Sequence, residues 1–272
     1  MRNVKASGRR AGFVQSVGRS LDLLEALAEP GELGLAQVAS RTGLQPSTAH
    51  RLLATLVERG YVTQNAETGR YLLGYRLLEL ATGVQARTER LRALTRPHLL
   101  AVQKITGETA SLTILEPPSL VYVDQVEGSR SVRMFARLGA AVPPHTTASG
   151  KAILAFTKSP PLAEICGPEP FDALTPRTIT TLTTLEQELA RVRRRRYAVD
   201  NEEHEVGVSC VAAPIFDHDG AVRAAIGVSG PTPRIRGADT AELGELVSNR
   251  AAEISRALGL DPASVSAGAA RP

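Results

Sequence analysis

The sequence predicts an α+β chain: an N-terminal winged helix-turn-helix, a linker helix, then a larger domain of mixed strands and helices. Two stretches predict it. Residues 33–74 hold two short amphipathic segments joined through Gly43 and Pro46, followed by two alternating runs around a Glu67-Thr68-Gly69 turn. Beyond residue 92, strand-like and helical patterns follow one another in irregular order, as in α+β sheet domains. Composition agrees with a globular chain: 43% of the 272 residues are hydrophobic. Aromatic residues are only 4% and tryptophan is absent, so the core must be aliphatic.

Taking the elements in order, residues 1–12 form a basic tail with Arg2, Lys5, Arg9 and Arg10 and no acid. It has no apolar run, so it is not a secretory signal, and it is expected to be disordered. It either adds salt-dependent affinity for nucleic acid or is a solvated tail with no role. Residues 1–91 carry 12 basic against 8 acidic side chains and residues 92–272 carry 20 of each, so the whole net charge of +4 lies in the first third. The winged helix-turn-helix is expected over 13–74. A helix over 14–28 shows Val17, Leu21, Leu24, Leu27 and Ala28 as its apolar stripe, and Glu29-Pro30-Gly31 ends it. Leu35–Thr42 is the next helix, closed by Gly43, a residue free to take positive φ. Pro46 pre-sets the first turn of a third helix, where its missing N–H costs nothing. Ala49, Leu52, Leu53, Leu56 and Val57 share one side of that helix, while Ser47, Thr48, His50, Arg51, Thr55 and Glu58 share the other. Gly60 ends it. Residues 61–64 and 70–73 alternate as a hairpin.

The outward residues fit the physics of DNA reading. Small polar side chains at a helix start let backbone N–H groups approach phosphates. His50 and Arg51 reach base edges or phosphates from a helix in the major groove. Arg70, on the wing, lies along the backbone or in the minor groove. The alternative is a helical hairpin used only for protein contacts. Turn, apolar stripe and wing agree on the DNA-reading form.

Residues 75–91 are the linker helix. Over 75–94, Leu77, Leu80, Val84 and Leu91 lie near coiled-coil spacing, interrupted by Arg87; an ordinary surface helix is the alternative. The second domain spans 92–258. Helices are expected over 97–106, 147–156, 162–166, 185–196 and 238–258. Strands are expected over 109–116, 120–126, 132–136, 197–199, 206–216 and 221–229, with a Pro-rich loop over 139–146. Arg193–Arg196 point around a helix rather than along one face, so they read as a solvated helix end, favourable at the C-terminal dipole. Residues 259–272 form a small-residue tail, expected to be disordered.

The chemistry-bearing residues are few. Thr146-Thr147-Ala148-Ser149-Gly150-Lys151 opens a helix, where backbone N–H groups at Ala148 and Ser149 suit a carboxylate. The phosphate-loop spacing is absent, and a capped helix without ligand is the other reading. For His145 and Lys151, a ligand contact and a solvent-facing side chain are equally open. Cys166 and Cys210 give no disulfide framework and fit a reducing cytoplasm. Cys210 stands in an apolar run, where a lone cysteine is usually a small core residue. A thiol-dependent small-molecule enzyme using Cys210 with His145 or His204 is the alternative function, but nothing in the spacing supports a triad. No close ligand pair supports a metal site, and no stretch reaches a membrane span.

STAHRLLATLVERGYV followed by GRYLLGYRLLELA resembles the DNA-binding half of the IclR family of bacterial transcriptional regulators. The resemblance continues in PPHTTASGKAILA (143–155) and DNEEHEVGVSCVAAPIFD (200–217), and it covers residues 14–258. It implies a GAF-like fold for 92–258 that binds a small effector. In the family, positions matching Asp200, Cys210 and Ser229 line the pocket, with apolar walls matching Met134, Val142 and Val208. Gly227 departs from the serine of some relatives, which suggests a different or larger head group. The resemblance raises the carboxylate reading at Ala148 and Ser149. It also implies a homodimer or a dimer of dimers, with the linker helix in the interface. The partners expected are double-stranded operator DNA and a small organic acid, with no cofactor, metal or membrane, in the cytoplasm. Repression is the expected sign of control.

Overall fold

A computed structural model describes residues 14–29, 31–237 and 240–260; the expected tail 1–12, and 259–272 beyond Leu260, lie outside the described residues. The chain divides into two compact units between Arg87 and Thr88.

The first unit contains α1 (Gln15–Ala26), α2 (Leu35–Thr42), α3 (Pro46–Glu58), β1 (Val62–Gln64) and β2 (Tyr71–Leu73). α2 stops because Gly43 takes φ +66°, and the Leu44 N–H returns to the Ala39 carbonyl at 3.0 Å. Pro46 opens α3 as its first residue. β1 and β2 pair antiparallel, with Val62 opposite Leu73. The Glu32 carboxylate accepts from Asn65 Nδ2 at 2.6 Å and Thr68 Oγ1 at 2.9 Å, which ties the wing turn to the segment before α2. Leu23, Leu27, Val38, Ala39, Ala49, Leu53, Val62 and Tyr71 make the core. The stripe expected on α1 holds at Leu24 and Leu27, which pack in the core, and is corrected at Val17 and Leu21, which are 57% and 53% exposed; Leu23, outside that stripe, is fully buried. α1 is apolar on two sides, and α2 and α3 pack on the side of Leu23 and Leu27, an i,i+4 pair.

α4 (Arg76–Thr106) is one 31-residue helix where the sequence suggested two. Pro97 sits inside it and removes one backbone bond. Burial of Thr95, Leu99 and Val102 holds this stretch helical through the proline.

The second unit is built on a six-stranded antiparallel sheet in the order β5-β4-β3-β8-β7-β6. Its strands are β3 (Thr109–Glu116), β4 (Ser119–Val126), β5 (Ala141–Val142), β6 (Ala198–Asn201), β7 (Val208–Phe216) and β8 (Val222–Pro231). One face packs Ala110, Leu112, Val211, Ala213, Ile226 and Val228 against the Leu99 end of α4, α8 (Thr232–Gly237) and α9 (Thr240–Ala257). The other face packs Ala198, Ala212 and Ala225 against α5 (Ala148–Leu154), α6 (Leu162–Cys166) and α7 (Leu182–Arg195). Small residues on that face let α5 lie close to the sheet.

Two expectations are overturned. Residues 132–136 form no strand. Their apolar alternation imitates one, but β4 pairs instead with Ala141 and Val142. The segment is anchored as a loop: the Thr109 hydroxyl donates to the Met134 carbonyl at 2.6 Å, and the Ala136 N–H donates to Gln125 Oε1 at 3.1 Å. The arginine run is not simply a solvated helix end. Arg193 donates to the Ala155 carbonyl, Arg195 to Tyr197 O and Glu188, and Arg196, at φ +65°, lies over the Phe156 ring.

Candidate nucleic-acid interface and small-molecule site

On α3, Ser47, His50 and Arg51 are exposed and Thr48 is half-buried; Arg70 is exposed beside the wing turn. Ala49 and Leu53, fully buried on the opposite side, fix which way the helix faces. Neither Arg51 nor Arg70 has an ion pair or side-chain hydrogen bond among the described residues. Both guanidinium groups are therefore available to an external anion, and a helix this exposed fits a major groove.

The second unit brings together residues far apart in sequence. Register places Thr109 opposite Ser229, Ser229 opposite Cys210, and Cys210 opposite Asp200. Partners directly opposite in a ladder project from the same face, so these four side chains form one row across β3, β8, β7 and β6. Three of them, Asp200, Cys210 and Ser229, are sequence-identified candidates. Val208 lies two residues along β7 from Cys210, on the same face. Met134, half-buried, is held by its carbonyl at the Thr109 end of the row. Val142 lies on β5 opposite Leu120, farther along the sheet, where it packs with the apolar cluster beneath α5.

Ala148 and Ser149 open α5 on this face and are both buried. The Thr147 hydroxyl accepts the Gly150 N–H at 3.0 Å. The Ala148 and Ser149 N–H groups find no acceptor among the described residues. A Cβ at Gly150 would overlap the Pro144 carbonyl, so only glycine lets the 3-10 turn Pro144–Thr146 press against α5.

Electrostatics of the row follow from burial. Asp200 is 1% exposed, and burial raises its carboxyl to about 6; Glu203 adds to the rise, while the Glu203 N–H bond at 2.7 Å and Lys151 oppose it. Burial, then the Asp200 carboxylate, push the Cys210 thiol well above its ordinary range. A thiol held protonated is a poor nucleophile, which weighs against the thiol-enzyme alternative.

Tyr122 was not legible as a site residue, and the roles of Lys151, His145 and His204 were open from sequence. Tyr122, on β4, senses the Cys210 and Asp200 charges, and burial first, then those charges, raise its phenol. Lys151, open between ligand and solvent from sequence, is 1% exposed and places Nζ 2.6 Å from both oxygens of Glu203. His145 is also buried; its Nε2 meets the Asp172 carbonyl at 3.2 Å, and Nδ1 has no partner among the described residues. His204 Nδ1 meets Thr146 Oγ1 at 2.9 Å. Burial lowers the pKa of both rings.

Two family models match the chain. The model described as bacterial transcriptional regulator IclR C-terminal covers residues 85–256, and the IclR helix-turn-helix model covers residues 16–66. The chain belongs to the IclR family. This family member is 35% identical over 248 residues to the HTH-type transcriptional regulator XynR of Escherichia coli, covering 91% of this chain and 98% of that one. It is 34% identical over 258 residues to the transcriptional repressor IclR of the same organism, covering 93% of each. The crystal structure of the Thermotoga maritima IclR superimposes with a TM-score of 0.73 at 36% identity, over 90% of this chain and 98% of that one. An IclR homologue from Microbacterium hydrocarbonoxydans, solved with 4-hydroxybenzoate, matches with a TM-score of 0.72 at 26% identity over 89% and 98%. An N-terminal helix-turn-helix followed by a mixed α/β domain is thus the IclR architecture, and transcription regulation through DNA is the family's activity. Among the described residues no helix is long and apolar enough to cross a membrane.

Proposed function

We propose that this IclR-family protein is a repressor that binds double-stranded operator DNA through α3 and the wing and is controlled by a small carboxylate. Residues 13–74 read DNA, 75–91 link, and 92–258 form a GAF-like effector domain. Ser47, Thr48, His50 and Arg51 face the groove, and Arg70 lies along the backbone beside it or in the minor groove. One observation carries the effector reading: the Asp200–Cys210–Ser229 row lies on the sheet face covered by α5, whose Ala148 and Ser149 N–H groups find no acceptor among the described residues.

The carboxylate accepts those two N–H groups. Asp200, Cys210 and Ser229 take a polar group at the far side, and Met134, Val142 and Val208 bound the apolar part. A carboxyl raised to about 6 suits Asp200 to this place. When an anion binds nearby, Asp200 either faces a donor on the ligand or takes up a proton. The Microbacterium homologue, solved with an aromatic carboxylate, supports the ligand class.

Assembly as a homodimer, or a dimer of dimers, in the cytoplasm completes the reading. One small domain reads too few bases for a specific site. Leu78, Leu80 and Val84 on α4 are 64%, 49% and 62% exposed, an apolar surface suited to a partner subunit.

The test is a melting-temperature screen against small carboxylates, followed by operator binding with the stabilising compound present. A ligand bound only by the folded protein adds about 2.7 kcal/mol at one hundred times Kd. Asp200→Ala and Cys210→Ala are expected to bind operator normally and to lose or shift the response. A wild-type response in both would place the pocket elsewhere.

A further inference from the structure

We infer that the second unit carries a further small-molecule site, at the open end of β7 beside α9, for an anion with an apolar body. It is separate from the effector row and does not depend on that reading.

The site exists because β6 is short. β6 pairs with β7 only from Asn201 opposite Ser209 to Ala198 opposite Ala212, so residues 213–216 of β7 have no strand on that side. α9 and the residue after α7 border the gap instead, around a cavity of about 360 Å³. The Ser255 hydroxyl accepts the Phe216 N–H at 2.9 Å, and the Ser248 hydroxyl donates to the Arg196 carbonyl at 3.3 Å. A peptide adding a strand to this edge would find no N–H at Pro214 and that of Phe216 already taken. The occupant is therefore a small molecule, and the volume lies at the lower end of the roughly 300–1,000 Å³ of such sites.

The lining sets the chemistry. Pro214, Phe216 and Ala251 supply an apolar wall, while Arg196 and Arg256 are its charged groups, with no acid among the described residues. Neither guanidinium has an ion pair or side-chain hydrogen bond among the described residues. The Arg196 guanidinium lies 5.5 Å from the centre of the Phe156 ring, and Phe156 meets Phe216 edge-on at 5.0 Å. This stack fixes the cation against the apolar wall. Arg196 also takes φ +65°, at a helix end where glycine is the usual residue. The chain bears that strain while keeping a long cationic side chain at the cavity. Two cations without an anion, beside an apolar wall, suit a carboxylate or sulfonate head on an aliphatic chain or ring. The arginine run that ends α7 thereby gains a role in binding.

The test is calorimetric titration of the full-length protein with octanoate and with octanol, its uncharged match. The wild type is expected to bind octanoate about tenfold tighter, the worth of one hydrogen bond to a charged group, and added salt should shrink that ratio. Arg196→Gly suits the left-handed backbone, and Arg256→Gln changes an exposed position of α9, so both should keep the wild-type melting temperature. Each should reduce the ratio toward one. Ala252→Phe, at another exposed position lining the cavity, should fill it and abolish binding of both compounds. Equal wild-type affinities for the two compounds, or an unchanged ratio in both arginine variants, overturns the site. Octanoate binding that is lost in Asp200→Ala and intact in the other three variants overturns it as well, and places the compound in the effector row. Binding of neither compound also overturns it; a changed oligomeric state of Ala252→Phe in sedimentation would then assign the cavity to a second copy of the chain.

Discussion

Lys151 and Glu203 test whether the floor of the second unit is organised by a buried charge pair. Lys151 Nζ lies 2.6 Å from each Glu203 oxygen, with the two side chains 1% and 9% exposed. Removing the ammonium in Lys151→Met leaves the Glu203 carboxylate with the Asn201 N–H, at 3.3 Å, as its remaining donor among the described residues. Breaking such a pair from one side costs about 3–5 kcal/mol, because a charge stays buried and unpaired. In a domain of this size each kcal/mol shifts the melting temperature by roughly 2–4 °C, so a fall of about 6–20 °C is expected. Glu203→Gln should fall in the same range. Replacing both, in Lys151→Met/Glu203→Leu, should recover most of the loss, since a well-packed apolar pair is often as stable as the ion pair it replaces. Differential scanning calorimetry of the four proteins gives the cycle. Single variants within 2 °C of wild type (about 1 kcal/mol or less) would refute the assignment of a buried, energetically coupled pair.

Three further outcomes follow from the same geometry. Arg51→Ala should weaken operator binding by about 1–3 kcal/mol if the guanidinium meets a base edge; fluorescence anisotropy showing unchanged affinity in both Arg51→Ala and Thr48→Ala would remove α3 as the reader. Asp200 is raised in the fold from 3.8 to about 6, so its contribution to stability is fully present below 3.8 and is lost as pH rises through 6. Melting curves of Asp200→Asn and wild type should therefore differ least near pH 4 and diverge toward pH 7 in favour of the variant; a constant offset would contradict the shift. Gly150→Ala drives a Cβ into the Pro144 carbonyl and should destabilise the second unit by at least the ~1–3 kcal/mol of an overpacked core, read from its melting temperature.

What was legible in the sequence was local. Gly43, Pro46 and Gly60 mark their own helix ends, and the structure ends α2 and starts α3 at those residues. What was not legible depended on pairing across the chain. β8 lies between β3 and β7, so Ser229 meets Thr109 and Cys210 through register that no short window contains. Lys151 and Glu203 are 52 positions apart, and only the fold shows that this lysine is buried. The misread strand at 132–136 has the alternation of a strand without a neighbour to pair with, which is a tertiary fact. Likewise Pro97 reads locally as the first residue of a new helix, because local propensity ignores the burial of Leu99 and Val102 that carries α4 through it. The exposed Val17 and Leu21 show the same limit, since a helix apolar on two sides does not declare which one is core.

The central claim is that effector and operator are linked through this one chain. Linkage makes the coupling reciprocal: whatever factor the effector applies to operator affinity, the operator must apply to effector affinity. The direct measurement is calorimetric titration of the stabilising carboxylate into free protein and into protein saturated with operator. For a repressor released by its effector, operator-bound protein should bind the carboxylate about 5–150-fold more weakly, the usual range of such coupling. The same factor should separate operator affinities measured with and without the compound. Equal carboxylate affinities for the free and operator-bound protein would contradict the account.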